Sequence, residues 1–214
     1  MRKIKALVVD LKLNNIGSII EALIFSGYEV DTKVNDKSIQ NSDILFLPGV
    51  GSYPAAMSFL KKSKIDNLIK KFSKNKNKKV VGICLGMQLL FERSYEFNKC
   101  PGLGLISGEV LPLKNYIKSQ RKSIIPNIGW HKLKSSSKLP FFLSIKNKSF
   151  YFVHSFFVKP KRSSVVKNFI EIEKKKIAAV INEKNIYGFQ FHPEKSGNEG
   201  LNLLKKFLKE LKNK

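Results

Sequence analysis

The sequence predicts an α/β fold, with a core of parallel strands alternating with helices and closely spaced strands added in the second half of the chain. Three observations carry this. Six-residue runs rich in apolar side chains recur at IKALVV (4–9), DILFLP (43–48) and KVVGIC (79–84); they are short for helices and lack polar alternation, which marks strands buried on both faces. Stretches of helical apolar spacing separate them, and that alternation implies right-handed βαβ units. Beyond Cys100 the pattern turns to short strand-like runs and turns, which favours antiparallel or mixed pairing.

In order, IKALVV reads as a buried first strand. Ile16, Ile19, Ile20 and Leu23 then follow at helical spacing, and Gly27 is placed to end that helix. YEVDTK (28–33) reads as a second strand and DILFLP as a third. One or two helices occupy Tyr53 to Ser73, and KVVGIC is another buried strand feeding into LGMQLLFER (85–93), a helix. GEVLPL, KSIIPNIGWHKL, KSFYFVHSFFV, KIAAVINE and NIYGFQF are strand-like. Leu201, Leu204, Leu208 and Leu211 share one face of a closing amphipathic helix from Gly197 to Leu211. No repeat or linker interrupts the chain, so residues 1–214 read as one domain whose second half extends the same sheet.

The chain has 214 residues, 43% of them hydrophobic, enough for a core without disulfides. Lys and Arg total 40 against 16 acidic residues, a net charge of +24. Only Arg2, Arg93, Arg121 and Arg162 are arginines, and the lysines are spread through nearly every segment. Base and phosphate recognition favours the bidentate arginine fork, so the charge reads as a compositional bias and not as a specific nucleic-acid face. Cys84 and Cys100 suit a reduced, cytoplasmic setting. The opening apolar run closes on Asp10, not on a cleavage site, and nothing approaches the roughly 18 apolar residues of a membrane span.

The chemistry concentrates at VVGICLGMQLL, where Gly82, Cys84 and Gly86 form GxCxG between strand and helix. This is a nucleophile-elbow arrangement with cysteine as the nucleophile. The tight turn needs neighbours without a Cβ, and it presents the sulfur at the carboxyl edge of the sheet. The following helix turns its positive end toward the sulfur, and Leu85 N–H is placed to serve an oxyanion. A base is needed, and of His131, His154 and His192 the last has the best surroundings. In GFQFHPEKS it ends an apolar strand, and Glu194, two residues on in an extended segment, returns to its face. Cys84, His192 and Glu194 thus form a candidate triad of nucleophile, base and orienting acid. LPGVGSY (47–53) ends the third strand, where Gly49 and Gly51 allow close main-chain approach and N–H groups around Val50 could complete the oxyanion hole with Leu85. Gln88, one helical turn beyond Cys84, faces the same crevice. No metal-ligand spacing is present.

Together these motifs resemble the class I glutamine amidotransferase family and, more narrowly, the glutaminase subunits of imidazole glycerol phosphate synthases. LPGVGSYPAAM, GICLGMQLLFERSYE, IPNIGWHKL, FYFVHSFFV and QFHPEKSGNEGLNLL carry the resemblance, from Ile4 to about Leu208. It implies a flavodoxin-like fold with a mixed sheet flanked by helices, no cofactor, and the triad just named. It also implies glutamine contacts from Gly49, Gly51, Gln88, Glu96, Ser155 and Phe156, with Asn15 and Lys195 toward a (β/α)8-barrel cyclase partner and the passage of ammonia. Where the family usually has Asp-Tyr-Gly-x-Gly-Asn, this chain has Asp10, Leu11, Lys12, Leu13, Asn14 and Asn15; where it has Gly-Trp-Asn, this chain has Gly129, Trp130 and His131. These departures leave open a second recipient for the ammonia, an amidotransferase acting on a surface sugar. A non-catalytic interaction protein on the same fold is the alternative of another class.

Overall fold

The computed structural model describes residues 3–13, 15–117 and 125–212, with side chains as far as Glu210. Asn14, the start of KSIIPNIGWHKL at 122–124 and the Leu211 side chain lie outside the described residues.

β1 (Lys5–Val8), β2 (Glu29–Asp31), β3 (Ile44–Gly49) and β4 (Lys79–Cys84) are the parallel strands expected, joined through α1 (Gly17–Phe25), α2 (Asp36–Asn41), α3 (Tyr53–Lys62) and α4 (Ile65–Lys74). Gly27 does close α1: it takes φ +99°, its N–H donates to Ile24 O at 2.9 Å, and Tyr28 N–H donates to Leu23 O at 3.1 Å, the paired bonds of a Schellman motif. The missed helix α2 starts at a capping box in which Asn35 and Ser38 exchange bonds.

The strand runs are apolar throughout because the sheet is covered twice. Ala6, Val8, Ile44, Phe46, Val81 and Ile83 pack with α1 and the closing helix α8 (Gly197–Lys212). Leu7, Val9, Leu45, Leu47 and Val80 pack against residues of α3 and α4 on the other face. Burying such a Leu, Val or Phe side chain contributes about 1.5–3 kcal/mol each.

The main sheet has eight strands in the order β2-β1-β3-β4-β14-β13-β12-β9. Its added strands are β14 (Ile186–Phe189), parallel to β4, and the antiparallel β13 (Lys175–Glu183), β12 (Val166–Ile172) and β9 (Lys134–Ser135). The second half extends this sheet as expected, and it also builds two further ones. β5 (Phe91–Ser94), β6 (Cys100–Pro101), β7 (Ile106–Pro112) and β11 (Phe156–Pro160) form a separate sheet, and β8 (Asn127–Lys132) with β10 (Ser149–His154) forms an antiparallel ribbon.

Two element assignments change with it. The helix after Cys84, α5, spans only Leu85–Leu89, because Phe91–Ser94 is drawn into pairing with both β6 and β7; tertiary pairing overrides local preference. KSFYFVHSFFV breaks at Ser155 into β10, which pairs β8, and β11, which pairs β7.

Candidate active site

Cys84 ends β4 and takes φ +53°, ψ −110°, a sparsely populated conformation for a residue with a side chain, costing on the order of 1–3 kcal/mol. Its surroundings enforce it. A Cβ on Gly82 would lie 2.5 Å from Gly86 O, and one on Gly86 would lie 1.6 Å from Leu47 O, so α5 sits directly on the backbones of β3 and β4. Leu85 opens α5, where an N–H has no intrahelical partner. Gly49 is the register partner of Cys84; a Cβ there would meet Leu11 Cδ1 at 2.8 Å.

His192 leaves the end of β14 and is fixed through its backbone: its N–H donates to Tyr151 O at 3.0 Å and its carbonyl accepts from Ser196 Oγ at 2.6 Å. Its Nδ1–H donates to Glu194 Oε1 at 2.7 Å, and both side chains are more than nine-tenths buried. Glu194 reaches the imidazole by a route other than the expected one, since Pro193–Lys195 is a 3-10 turn and not an extended segment. His192 Nε2 is buried without a hydrogen-bonded nitrogen or oxygen among the described residues. Burial opposes its protonated form, but the Cys84 side chain and then the Glu194 carboxylate outweigh this by hydrogen bonding and charge, and its pKa is raised to about 10.

Cys84 opens into a cavity of about 250 Å³ lined by Val50, Gly51, Leu85, Gln88, Glu96, Ser155 and Phe156. Gln88 lines this cavity. Glu96 accepts from Tyr53 N–H at 2.8 Å, and burial lifts its carboxyl above the usual range despite that bond. Gly49, His192 and Glu194 are not on the cavity wall: the triad stands behind the sulfur. Asn15 and Lys195 lie outside it and exposed, with Asn15 Oδ1 accepting from Gly17 N–H at 2.7 Å at the start of α1.

Gln190, which the sequence left without a role, and His154, expected to support its strand and not to catalyse, are both central here. Gln190, fully buried, places Nε2 3.8 Å from Cys84 Sγ; its period-two spacing from His192 was the signal that could have found it. His154 Nδ1 lies 2.8 Å from Phe156 O, which can only accept, so Nδ1 carries the proton and Nε2 accepts from Asn127 Nδ2 at 2.9 Å. Burial lowers the pKa of His154 to about 4, so this neutral tautomer braces the Ser155–Phe156 wall. At the altered N-terminal stretch, Lys12 takes φ +59° where glycine was expected by resemblance. Asp10 holds it there, accepting from Lys12 N–H at 2.8 Å and from its Nζ at 2.7 Å.

Comparison with known proteins bears on the fold and the family. Solved structures described as a glutamine amidotransferase (TM-score 0.72, 16% identity, 97% of this chain and 99% of that one) and as PurLQS from Thermotoga maritima (TM-score 0.72, 22%, 98% and 100%) share the fold. Relatives named imidazole glycerol phosphate synthase subunit HisH 1 in Campylobacter jejuni and HisH in Caldanaerobacter subterraneus are 39% and 40% identical, over 94% of this chain and 98% and 95% of theirs. HisH of Lactococcus lactis is 37% identical over 97% of this chain and 99% of its own. A family model described as glutamine amidotransferase class-I matches residues 7–211, and the chain belongs to that family.

Proposed function

We propose that residues 1–214 act as one glutaminase domain, the ammonia-producing subunit of an imidazole glycerol phosphate synthase working in the cytoplasm in histidine biosynthesis. The observation that carries the reading is the strained Cys84 at the mouth of a cavity with the His192–Glu194 pair buried behind it.

In the reaction, His192 Nε2, whose pKa is raised by its Cys84 neighbour, holds the proton given up by the sulfur as the sulfur attacks the side-chain amide carbon of glutamine. The oxyanion is met by N–H groups of Leu85 and Val50. The C–N bond breaks as the imidazolium returns its proton to the leaving nitrogen, which departs as ammonia. Water then attacks the thioester with His192 as base, the C–S bond breaks, and glutamate and the thiol are restored. Glu194 holds the imidazole so that Nε2 faces the sulfur. Glu96 is suited to the substrate ammonium, while Gly51, Gln88, Ser155 and Phe156 border the remaining polar atoms; Gly49, off the cavity wall, carries the chain into that loop.

Ammonia passes to a (β/α)8-barrel cyclase. Supporting that partner, Ile128 and Trp130 stand more than half exposed on the ribbon over the site, cross-strand from Val153 and Tyr151. Asn15 and Lys195 flank the partner side. Lys12 keeps the left-handed backbone that glycine would take, so the main chain at this one altered position is that of the histidine-pathway relatives' motif.

The test is reconstitution with the histidine-pathway cyclase. Cys84→Ala should abolish glutamine-dependent synthesis and leave ammonia-dependent synthesis intact, and the cyclase with acceptor nucleotide should raise glutamine hydrolysis by at least about two orders of magnitude. Glutamine use by Cys84→Ala, or stimulation only by a sugar-pathway homologue, would overturn the reading.

A further inference from the structure

Gly188 in β14 faces α5, where a Cβ on it would lie 2.7 Å from Met87 Cγ, and Gln190 and His192 follow at the same spacing just beyond the strand's end. The register of Gln190 is fixed by its backbone N–H, which donates to Ala179 O at 2.9 Å. An amide buried this completely must have partners at both ends, or its desolvation goes uncompensated.

The direction of those bonds follows from one carbonyl. Phe156 O can only accept, and it takes an N–H from Gln88 Nε2 at 3.1 Å, which fixes the flip of the Gln88 amide. The other Gln88 N–H points at Gln190, which must answer with Oε1, at 3.2 Å. The flip of Gln190 is thereby fixed too, and its Nε2 is left facing Cys84 Sγ at 3.8 Å. Reversing Gln88 would set two acceptors against each other, and reversing Gln190 would set two donors against each other. A main-chain carbonyl on β11 therefore decides, through two side chains, that the sulfur meets a donor.

The sulfur has one other neutral partner, Val153 O, at 3.6 Å. That bond needs the thiol proton and disappears when the proton moves to His192. The bond from Gln190 does the opposite, because an N–H donor gains strength as its acceptor becomes charged.

We infer that Gln190 is a positioning residue for the nucleophile, holding the Cys84 sulfur in its attacking orientation with Nε2–H and keeping Gln88 turned, through Oε1, so that the Gln88 carbonyl is left for a ligand in the cavity. The inference rests on the glutaminase reading above. It assigns a function to a side chain that touches no substrate.

Two variants separate the two ends of the amide. Gln190→Glu keeps the acceptor for Gln88 and removes the donor to sulfur; Gln190→Met removes both at similar volume. In the reconstituted complex, Gln190→Glu should lower the glutamine-dependent kcat by about tenfold to a hundredfold, as loss of a hydrogen bond to a charged group requires, with KM within about threefold. Gln190→Met should lower kcat and raise KM. Ammonia-dependent synthesis should be unchanged in both, and alkylation of Cys84 by iodoacetamide, read by peptide mass against Cys100 in the same chain, should slow. If Gln190→Glu does not fold, Gln190→Met decides alone. Wild-type kcat and KM in Gln190→Met, or a parallel fall in ammonia-dependent synthesis, would overturn the inference. A wild-type complex unable to use glutamine would instead overturn the glutaminase reading, and the alkylation contrast would still report on the bond to sulfur.

Discussion

Replacing Gly86 by alanine puts a methyl group where two backbones already touch. The new Cβ would lie 1.6 Å from Leu47 O and 2.7 Å from Leu47 C, whereas a carbon–oxygen contact needs about 3.3 Å. The obstacle is main chain, in a strand paired on one side with β1 and on the other with β4, so no side chain can rotate to make room. α5 must lift off β3 by roughly 1.5 Å, and the residue immediately before α5 is Cys84. Overpacking costs about 1–3 kcal/mol where neighbours can give; here the upper end, about 3 kcal/mol, is expected. A misplacement of about 1 Å at a reacting group costs on the order of a hundredfold in rate. Gly86→Ala should therefore lower the urea midpoint at unchanged m-value and reduce glutamine-dependent turnover at least about a hundredfold. Ammonia-dependent synthesis should track only the folded fraction. Gly104→Ala is the control: Gly104 takes φ +67° with no neighbour within 4 Å of the new Cβ, so it should lose about 1 kcal/mol to backbone strain and keep its activity. Gly86→Ala with a wild-type midpoint, or with reduced stability but wild-type glutamine turnover, would refute the argument.

Three further outcomes are expected. His154, with a pKa lowered to about 4 against about 6.5 in the unfolded chain, favours the fold above pH 6.5 and loses that contribution as pH falls toward 4; about 2 kcal/mol should be gone at pH 5, and His154→Asn should show a shallower acid slope in urea melts. His192, raised to about 10, contributes fully below about pH 6.5 and loses its contribution as pH rises through about 10, so the alkaline limb of glutamine-dependent kcat/KM, which reports the free enzyme, should lie well above pH 7; a limb near 7 would contradict the Cys84–His192 pairing. At Lys12, which has positive φ, Lys12→Val should cost about 1–2 kcal/mol and Lys12→Gly should stay within about 0.5 kcal/mol of wild type by thermal melting.

The parallel half of the fold was legible because burial on both faces leaves a plain mark. Residues 6–9, 44–48 and 80–84 carry no polar side chain that interrupts the run, and in the structure their alternate side chains enter two separate cores. The second half was not legible in the same way. Whether Phe91–Ser94 is helix or strand depends on Ile106–Pro112 and Cys100–Pro101 arriving beside it, and a local pattern carries no trace of partners that far along the chain. Ser155 divides two strands for a similar reason: Phe152 and Phe157 are equally apolar, but one pairs Gly129 and the other Leu111.

The site divides along the same line. Cys84 and its glycines could be read directly, since a strained turn under a packed helix excludes nearly every other residue at Gly82 and Gly86. His192 and Glu194 were found as a pair although the expected geometry between them was wrong, because a 3-10 turn and an extended segment both bring a residue two positions on to the same imidazole. Gln190 was passed over, and His154 was read only as a support for its strand, because what they do in detail is settled by acceptors on other elements. The Phe156 carbonyl takes the His154 Nδ1–H at 2.8 Å and the Gln88 Nε2–H at 3.1 Å. One main-chain oxygen thus fixes a histidine tautomer on one side of the cavity and an amide flip on the other. With both donors bound to it, Phe156 cannot turn its carbonyl away without leaving two buried N–H groups unpaired, a penalty of about 1–3 kcal/mol each. The wall facing Cys84 is rigid for that reason, and any rearrangement that opens or completes the site on partner binding falls instead to the opposite wall, where Gly51 at φ +115° gives the main chain around Val50 its freedom.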